Sequence, residues 1–357
     1  MNKAAYRATR SSPAAARGPD RILVVAPAWV GDMVMTEAVT QLLQQRHPGA
    51  AIDLLAPAWT APLVSFMPAV RRAVVSPFAH GRLALAARWR LARRLHKEGY
   101  DVAILLPNSL KSALAPFLAG IPRRVGYVRE GRALLLTEAR WLDKARLSRQ
   151  VDRFFALVLP DGAPLPPDLP TPRLAIPLGA AEAALASLGL VRPSTPLLIL
   201  APGAEYGPAK RWPAAHFGKV AREKHAAGWA VWLVGSPNDR EAAAAVQAAS
   251  GGICIDLAGR TDLARAVALM SLANAVVSND SGLMHVAAAL ARPLVALYGP
   301  SDPGFTPPLS PQAHLLRLAL DCSPCHAREC PLGHQRCLVE LAPERVLEAL
   351  AALEAGE

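Results

Sequence analysis

A strand that runs directly into a helix is predicted at residues 275–290. The apolar run Ala-Val-Val breaks into the polar turn Ser-Asn-Asp-Ser-Gly and continues as an Ala-rich stretch. In an open parallel sheet, such a junction lies along the ligand crevice. The free amides of Ser281, Gly282 and Leu283 would form an anion-binding cradle there, with Asp280 and His285 facing the same pocket. A phosphate or diphosphate is the expected ligand.

A purely structural interpretation of this turn is equally open. Asn279, Asp280 and Ser281 are residue types that commonly cap helices, and they would then only satisfy unpaired amides. The turn alone does not decide between the two interpretations.

The same alternation of strand and helix runs through most of the chain and predicts parallel α/β structure. Strands are predicted at residues 21–27, 51–55, 73–75, 102–106, 197–201, 230–234, 253–257, 275–277 and 294–298. Helices are predicted at residues 33–45, 83–97, 179–188, 263–272, 283–290 and 343–355, with one more that begins at Pro213 and one that follows Asp239.

A chain of 357 residues fits two domains of ordinary size, and Pro-rich stretches at 161–177 and 191–196 separate two runs of this pattern. The last helix has no predicted partner domain. The predicted segments are a mobile basic tail (1–20), a first doubly wound domain (21–177), a linker region (178–196), a second doubly wound domain (197–342) and a C-terminal helix (343–357).

The net charge of +11 is confined to the first half of the chain. Residues 1–175 hold 25 Lys and Arg against 12 Asp and Glu, whereas residues 176–357 hold 14 against 16. A polyanionic partner is therefore expected at the first domain, or else the charge only keeps the surface soluble. Nucleic acid is disfavoured because the basic residues are not interleaved with aromatic ones.

Four motifs follow predicted strands, and together they closely resemble the lipopolysaccharide heptosyltransferases, especially the type II members. They are Trp29-Val-Gly-Asp32, Pro202-Gly-Ala-Glu-Tyr-Gly-Pro-Ala-Lys210-Arg-Trp-Pro213, Ser278-Asn-Asp-Ser-Gly-Leu-Met-His285 and Leu297-Tyr-Gly-Pro-Ser-Asp-Pro303. The resemblance extends from about residue 21 to the C-terminus. It implies the GT-B fold, in which two Rossmann-like domains face each other across a cleft.

The resemblance also implies an activity. The implied donor is ADP-L-glycero-β-D-manno-heptose, bound by the second domain, and the implied acceptor is the anionic, heptosylated Kdo₂-lipid A inner core, bound mainly by the first. Transfer of this second heptose would invert the anomeric centre without a metal or other cofactor. A cytoplasmic enzyme in peripheral contact with the inner membrane is expected, and no apolar run approaches the roughly 20 residues that span a bilayer.

The resemblance also implies roles for individual residues of these motifs. Asp32 aligns with the catalytic base of the family, although an N-cap role at the helix start is also open. Lys210 resembles the lysine that neutralises the donor phosphate. Asp280 is expected to contact heptose hydroxyls, and His285 the diphosphate, together with the cradle described above.

Acceptor contacts are predicted only from position. Asn108, Lys111, Arg123 and Arg124 flank a strand end in the basic half of the chain and could meet phosphate or carboxylate groups. Arg123 and Arg124 are equally consistent with solvated loop charges.

Two other classes of protein compete with this assignment. A nicotinamide-dependent enzyme is disfavoured because the first strand-to-helix turn, Ala-Pro-Ala-Trp-Val-Gly-Asp, lacks G-x-G-x-x-G. A glycan-binding protein without activity would keep Lys210 and Asp280 but would not require Asp32. A sister enzyme that adds the first or a later heptose is the alternative within the family.

Four cysteines lie within a short segment near the C-terminus, and Cys254 stands apart from them. Their spacing is compatible with a structural zinc site, a redox-labile disulfide or packed thiols. The four are Cys322, Cys325, Cys330 and Cys337.

Overall fold

The computed structural model of the protein describes residues 18–77 and 84–355. Residues 1–17 of the predicted tail and the predicted helix start at residue 83 therefore lie outside the described residues. Two parallel sheets, each of six strands, form the framework. The first contains β1 (Arg21–Val25), β2 (Ala51–Pro57), β3 (Arg72–Ser76), β4 (Val102–Leu105), β5 (Arg123–Tyr127) and β6 (Glu138–Arg140). The second contains β7 (Leu197–Ala201), β8 (Ala230–Leu233), β9 (Ile255–Asp256), β10 (Ala275–Asn279), β11 (Leu294–Tyr298) and β12 (Ala313–Arg317).

Both sheets have the same strand order. It is β3-β2-β1-β4-β5-β6 in the first sheet and β9-β8-β7-β10-β11-β12 in the second. The direction of winding reverses between β1 and β4, and again between β7 and β10. Ligands of doubly wound sheets bind beyond the carboxyl ends of the strands at such a reversal.

Helices cover the faces of the two sheets, because the central strands are apolar on both sides and have to be buried. Every residue of β7, β10 and β11 is buried. The helices are α1 (Val30–Arg46), α2 (Leu85–Glu98), α3 (Leu110–Leu118), α4 (Gln150–Val158), α5 (Ala180–Ser187), α6 (Ala214–Ala226), α7 (Arg240–Ala249), α8 (Leu263–Met270), α9 (Gly282–Ala289), α10 (Arg336–Val339) and α11 (Pro343–Ala355).

The two halves are in direct contact through helices. The first helix of the first half, α1, packs against α9 of the second half. The backbone amide of Leu174 also donates to the carbonyl of Ala289 (2.9 Å), and one hydrophobic core cluster contains residues of both sheets. The base of the cleft between the two sheets is therefore formed by the contact between α1 and α9.

Two segments that the sequence left unassigned have clear partners. Helix α5, inside the predicted linker, packs on α8. Helix α11 packs on α6, β11 and β12. Both helices thus lie with the second sheet, and the prediction of two doubly wound α/β units is confirmed.

Candidate active site

Four predicted site residues follow the four strands at the two reversals of winding. Asp32 follows β1 and Asn108 follows β4, whereas Lys210 follows β7 and Asp280 follows β10. Both sheets therefore direct polar groups into the crevice at the place where doubly wound folds bind ligands.

Asp32 lies in the first turn of α1, which begins three residues earlier than the sequence predicted. The N-cap residue of α1 is Trp29, so Asp32 does not cap the helix and the alternative prediction is wrong. The side chain keeps part of its surface exposed, and burial raises its pKa to about 6. Within the described residues, no group donates a hydrogen bond to its carboxylate. A desolvated, unpaired carboxylate of this kind accepts a proton readily.

Lys210 and Asp280 form a close ion pair on the opposite side of the crevice. The Lys210 Nζ atom lies 2.5 Å from Asp280 Oδ2, and the Ser301 hydroxyl donates to the same oxygen, also at 2.5 Å. The Tyr206 ring lies under the ammonium at 5.0 Å from its centroid. Because an ammonium has three N–H donors, this pairing fixes the position of Lys210 and leaves donors for a phosphate.

Asn279 connects the end of β10 to the loop that carries Lys210. Its buried amide donates to the carbonyl of Pro202 (2.8 Å) and accepts from the backbone amide of Trp212 (3.1 Å). The two ends of the Lys210 loop are thus held by one side chain next to Asp280. The sequence placed Asn279 in the turn but did not reveal this role.

The start of α9 faces the same crevice. Ser281 is the N-cap residue and has no side-chain capping bond, while Gly282 and Leu283 form the first turn and are partly exposed. The first amides of a helix have no partner within the helix and carry its positive dipole end. The predicted cradle of Ser281, Gly282 and Leu283 therefore lies beside the Lys210 ammonium.

A close contact between α1 and α9 joins the two sides of the site. A Cβ atom placed on Gly31 would lie 2.5 Å from His285 Cδ2, and one on Gly282 would lie 2.6 Å from Val30 Cβ. Glycine is thus needed at both positions for the helices to approach. The contact places Asp32, one residue after Gly31, close to the start of α9.

His285 lies at this contact and is buried. Burial lowers its pKa to about 4, and Asp280 only partly opposes the effect. The imidazole is therefore neutral near pH 7. It touches the Asp32 turn as well as facing the Lys210–Asp280 pair, so the predicted contact with a diphosphate stays a prediction.

We expect Gly31→Ala to lower kcat about tenfold or more, because the added methyl group would collide with His285 and push the Asp32 turn of α1 away from α9. Displacements of about 1 Å in an active site are costly. Gly49→Ala is the matched control, since a Cβ there meets no atom within 4 Å. Steady-state kinetics with both variants measure the difference. Equal kcat values for the two variants would show that the contact does not position a group needed for turnover.

Asn108 and Lys111 lie around the start of α3, at the carboxyl end of β4, but Arg123 and Arg124 do not join them. Both arginines are at the first two positions of β5, beside Val102 and Ala103, and so at the amino end of the sheet. This prediction is therefore corrected. The reason is that the sequence did not predict strand β5, so the two arginines were placed beside a strand end when they in fact begin a strand of their own.

Both arginines also have partners where they are. Arg123 pairs with Glu138. Arg124 donates to the carbonyl of Leu135 (2.7 Å) and lies over the Phe117 ring.

Arg132 is a buried residue of the first domain that the sequence did not single out. Its guanidinium donates to Asn108 Oδ1 (3.3 Å), Ser112 Oγ (3.0 Å) and the Tyr127 carbonyl (2.8 Å). Burial lowers its pKa to about 10, so it is still charged near pH 7. Arg132 thus holds Asn108 and the start of α3 in place.

The cysteine-rich segment at 322–337 supports the Lys210 loop. The thiols of Cys322, Cys325, Cys330 and Cys337 are free, and among the described residues no three His, Cys, Asp or Glu side chains are placed to hold a metal ion. Three hydrogen bonds connect segment and loop, from Ala209 N to Arg328 O (3.0 Å), from Tyr206 Oη to His326 O (2.7 Å) and from Gln335 Nε2 to Pro208 O (2.7 Å).

Comparison with known proteins identifies the family to which this arrangement belongs. Residues 88–336 match the sequence model of glycosyltransferase family 9 (heptosyltransferase). The chain belongs to this family. As a family 9 member it is a glycosyltransferase, and the resemblance inferred from the four motifs is confirmed.

Individual relatives separate the types within family 9. The chain is 44% identical to lipopolysaccharide heptosyltransferase 2 of Escherichia coli K12 over 342 residues, which cover 93% of this chain and 98% of the relative. It is 27% identical to lipopolysaccharide heptosyltransferase 1 of Pseudomonas aeruginosa, over 93% of this chain and 98% of that protein. Similarity is thus higher to a type 2 than to a type 1 member.

The solved structure of ADP-heptose LPS heptosyltransferase II from E. coli has the same fold. It superposes with a TM-score of 0.84 at 43% identity, covering 93% of this chain and 98% of that one. The expectation of a GT-B fold for this family 9 chain is confirmed.

Proposed function

We propose that this chain is an inverting heptosyltransferase that adds the second heptose to the lipopolysaccharide inner core. The donor is ADP-L-glycero-β-D-manno-heptose, and the acceptor is heptosylated Kdo₂-lipid A. One observation carries the proposal: the close approach of Gly31 to His285 and of Val30 to Gly282 brings the turn that holds the unpaired Asp32 carboxylate to the start of α9, which with Lys210 forms the proposed phosphate cradle. The high similarity to type 2 relatives supports the choice of substrates.

The cradle would hold the diphosphate of the donor. Lys210 and the amides of Gly282 and Leu283 bring positive charge to oxygens that become more negative as ADP departs. Asp280 keeps Lys210 in position and accepts hydrogen bonds from heptose hydroxyls with its remaining lone pairs. On this proposal the side chains and the helix dipole stabilise the negative charge of the leaving group. The chain then requires no resident cofactor.

Asp32 would act as the general base. It takes the proton of the acceptor hydroxyl while the hydroxyl oxygen forms a bond to the anomeric carbon of heptose. The bond from that carbon to the diphosphate oxygen breaks on the opposite face, so the configuration inverts and ADP leaves with the electron pair. Base and leaving-group clamp come from different domains, which places the acceptor and the donor on opposite sides of the crevice.

The first domain would bind the acceptor. Asn108 and Lys111 lie at the crevice end of the basic half, where the phosphates and carboxylates of the inner core need cationic and hydrogen-bonding partners. We retain the predicted domain boundaries, with 21–177 as the acceptor domain and 197–342 as the donor domain.

The acceptor is a lipid, so we also propose a cytoplasmic enzyme in peripheral contact with the inner membrane. No helix in the described part of the chain is both long enough and apolar enough to cross a membrane. Contact through a surface is therefore the form of association that we propose.

The activity should depend on the ionisation of Asp32. Burial raises the pKa of Asp32 to about 6, and only the ionised form accepts a proton, so kcat/KM is expected to fall as the pH drops below about 6. A pH profile between 4.5 and 8 measures this. A midpoint near 4, the value of an ordinary aspartate, would contradict the role of a desolvated base.

Product analysis tests the proposed function. Purified protein incubated with ADP-heptose and monoheptosylated Kdo₂-lipid A should release one ADP for each acceptor molecule that gains one heptose, as measured by mass spectrometry. Acceptor binding without any mass gain would identify a glycan-binding protein instead.

A further inference from the structure

Helix α2 presents an unusual surface to solvent. Its buried side contains Arg88, Leu91, Ala92 and Leu95, and the opposite side is exposed. The exposed side contains the cations Arg90, Arg93, Arg94 and Lys97, together with Leu85 (59% exposed) and Trp89 (55% exposed).

These four cations are not neutralised locally. Within the described residues none of them lies in an ion pair. The only carboxylate of the helix, Glu98, is bound to Arg72 at 2.6 Å. The outer side of α2 is therefore strongly positive and contains a large aromatic ring.

Helix α3 continues this surface. It runs parallel to α2, since Arg88 Nη1 donates to the Lys111 carbonyl (2.6 Å) and His96 Nδ1 lies 3.0 Å from the Ala119 carbonyl. Helix α3 has no acidic residue. It adds exposed apolar side chains at Leu110 (38%), Phe117 (41%) and Leu118 (38%).

We propose that this surface, called the α2–α3 face and made of the exposed residues just named on both helices, binds the surface of an anionic lipid bilayer. Lys and Arg attract lipid phosphates and add about 1 kcal/mol each near a charged membrane. Trp, Leu and Phe insert at the level of the headgroups. A soluble polyanion would engage the cations equally well but would leave these apolar side chains in water.

The position of the face agrees with catalysis at a membrane. Helices that connect parallel strands start at the carboxyl edge of the sheet, so α2 and α3 both begin on the crevice side, near Asn108 and Lys111. A bilayer bound to the face would bring a lipid-anchored acceptor to the crevice. This connection to catalysis rests on the proposed function, whereas the bilayer binding does not.

Vesicle flotation tests the face directly. Wild-type protein should float with vesicles that contain phosphatidylglycerol and should not float with pure phosphatidylcholine vesicles. Arg90→Glu/Arg94→Glu should reduce the binding at least tenfold, because two attractive charges become repulsive. Arg317→Glu/Arg345→Glu makes the same change at two exposed arginines of the other domain and should bind as wild type.

Two further measurements make the outcome decisive. Trp89→Ala should weaken vesicle binding even at high salt, where charge is screened. Turnover of an acceptor from which the acyl chains have been removed should be unchanged in Arg90→Glu/Arg94→Glu, since these residues lie outside the crevice.

Wild-type protein that binds heparin but no vesicles, or a double variant that floats like wild type, would overturn the proposal. Vesicle binding without any heptose transfer would instead contradict the proposed function and leave the α2–α3 face in place.

Discussion

Replacing Asp32 with asparagine is expected to lower kcat by at least about 10²-fold, the usual contribution of a positioned general base. The amide cannot accept the proton of the acceptor hydroxyl, yet it fills the same volume. Affinity for ADP-heptose should be nearly unchanged, because the donor contacts come from the other domain. Steady-state kinetics give kcat, and calorimetry gives the dissociation constant of the donor.

Thermal unfolding distinguishes this role from a structural one. The cap of α1 is Trp29, so Asp32→Asn removes no capping bond. Burial raises the pKa of Asp32, which means that the ionised form costs stability at pH 7, and the melting temperature of the variant should stay equal or rise. Asp168→Asn, at an exposed loop position, is the control. An Asp32→Asn enzyme with wild-type kcat would exclude Asp32 as the base.

Lys210→Ala is expected to raise the KM for ADP-heptose and to lower kcat as well, together by about 10²-fold or more in kcat/KM. The ammonium neutralises a diphosphate whose charge grows towards the transition state, so its loss affects binding and turnover together. In this variant Ser301 is the remaining partner of Asp280. The negative charge of the Asp280 carboxylate is then no longer balanced and would repel the donor phosphates.

Lys219→Ala is the matched control for this variant, since Lys219 pairs with Glu344 on the surface of the same domain. Kinetics at varied donor concentration separate the KM effect from the kcat effect. Wild-type donor affinity in Lys210→Ala would contradict the role of Lys210 in the phosphate cradle.

Much of the framework could be predicted because the central strands are apolar runs. The predicted strands at 197–201 and 294–298 agree with β7 and β11, and the other central strands agree within one or two residues. Strand β12 was missed because it is an edge strand with partly exposed residues, and β6 because it has only three residues. Strand β5 was missed because it begins with two arginines and has only three buried residues. Short edge strands have little apolar pattern to detect.

The site could be predicted only in part. Motifs located Asp32, Lys210 and Asp280, and the fold brings each of them to a reversal of winding. The contact between Lys210 and Asp280 joins residues that are 70 positions apart, and Ser301 adds a third group that no local pattern reveals. The buried Arg132 could not be predicted either, because most arginines are exposed.

The choice of acceptor tests the account most directly. Purified protein is given ADP-heptose with Kdo₂-lipid A in one reaction and with the monoheptosylated form in another, and the rate of heptose transfer is measured in each. We expect transfer to the monoheptosylated acceptor to be strongly preferred. Preferred transfer to unheptosylated Kdo₂-lipid A would contradict the assignment as the enzyme that adds the second heptose.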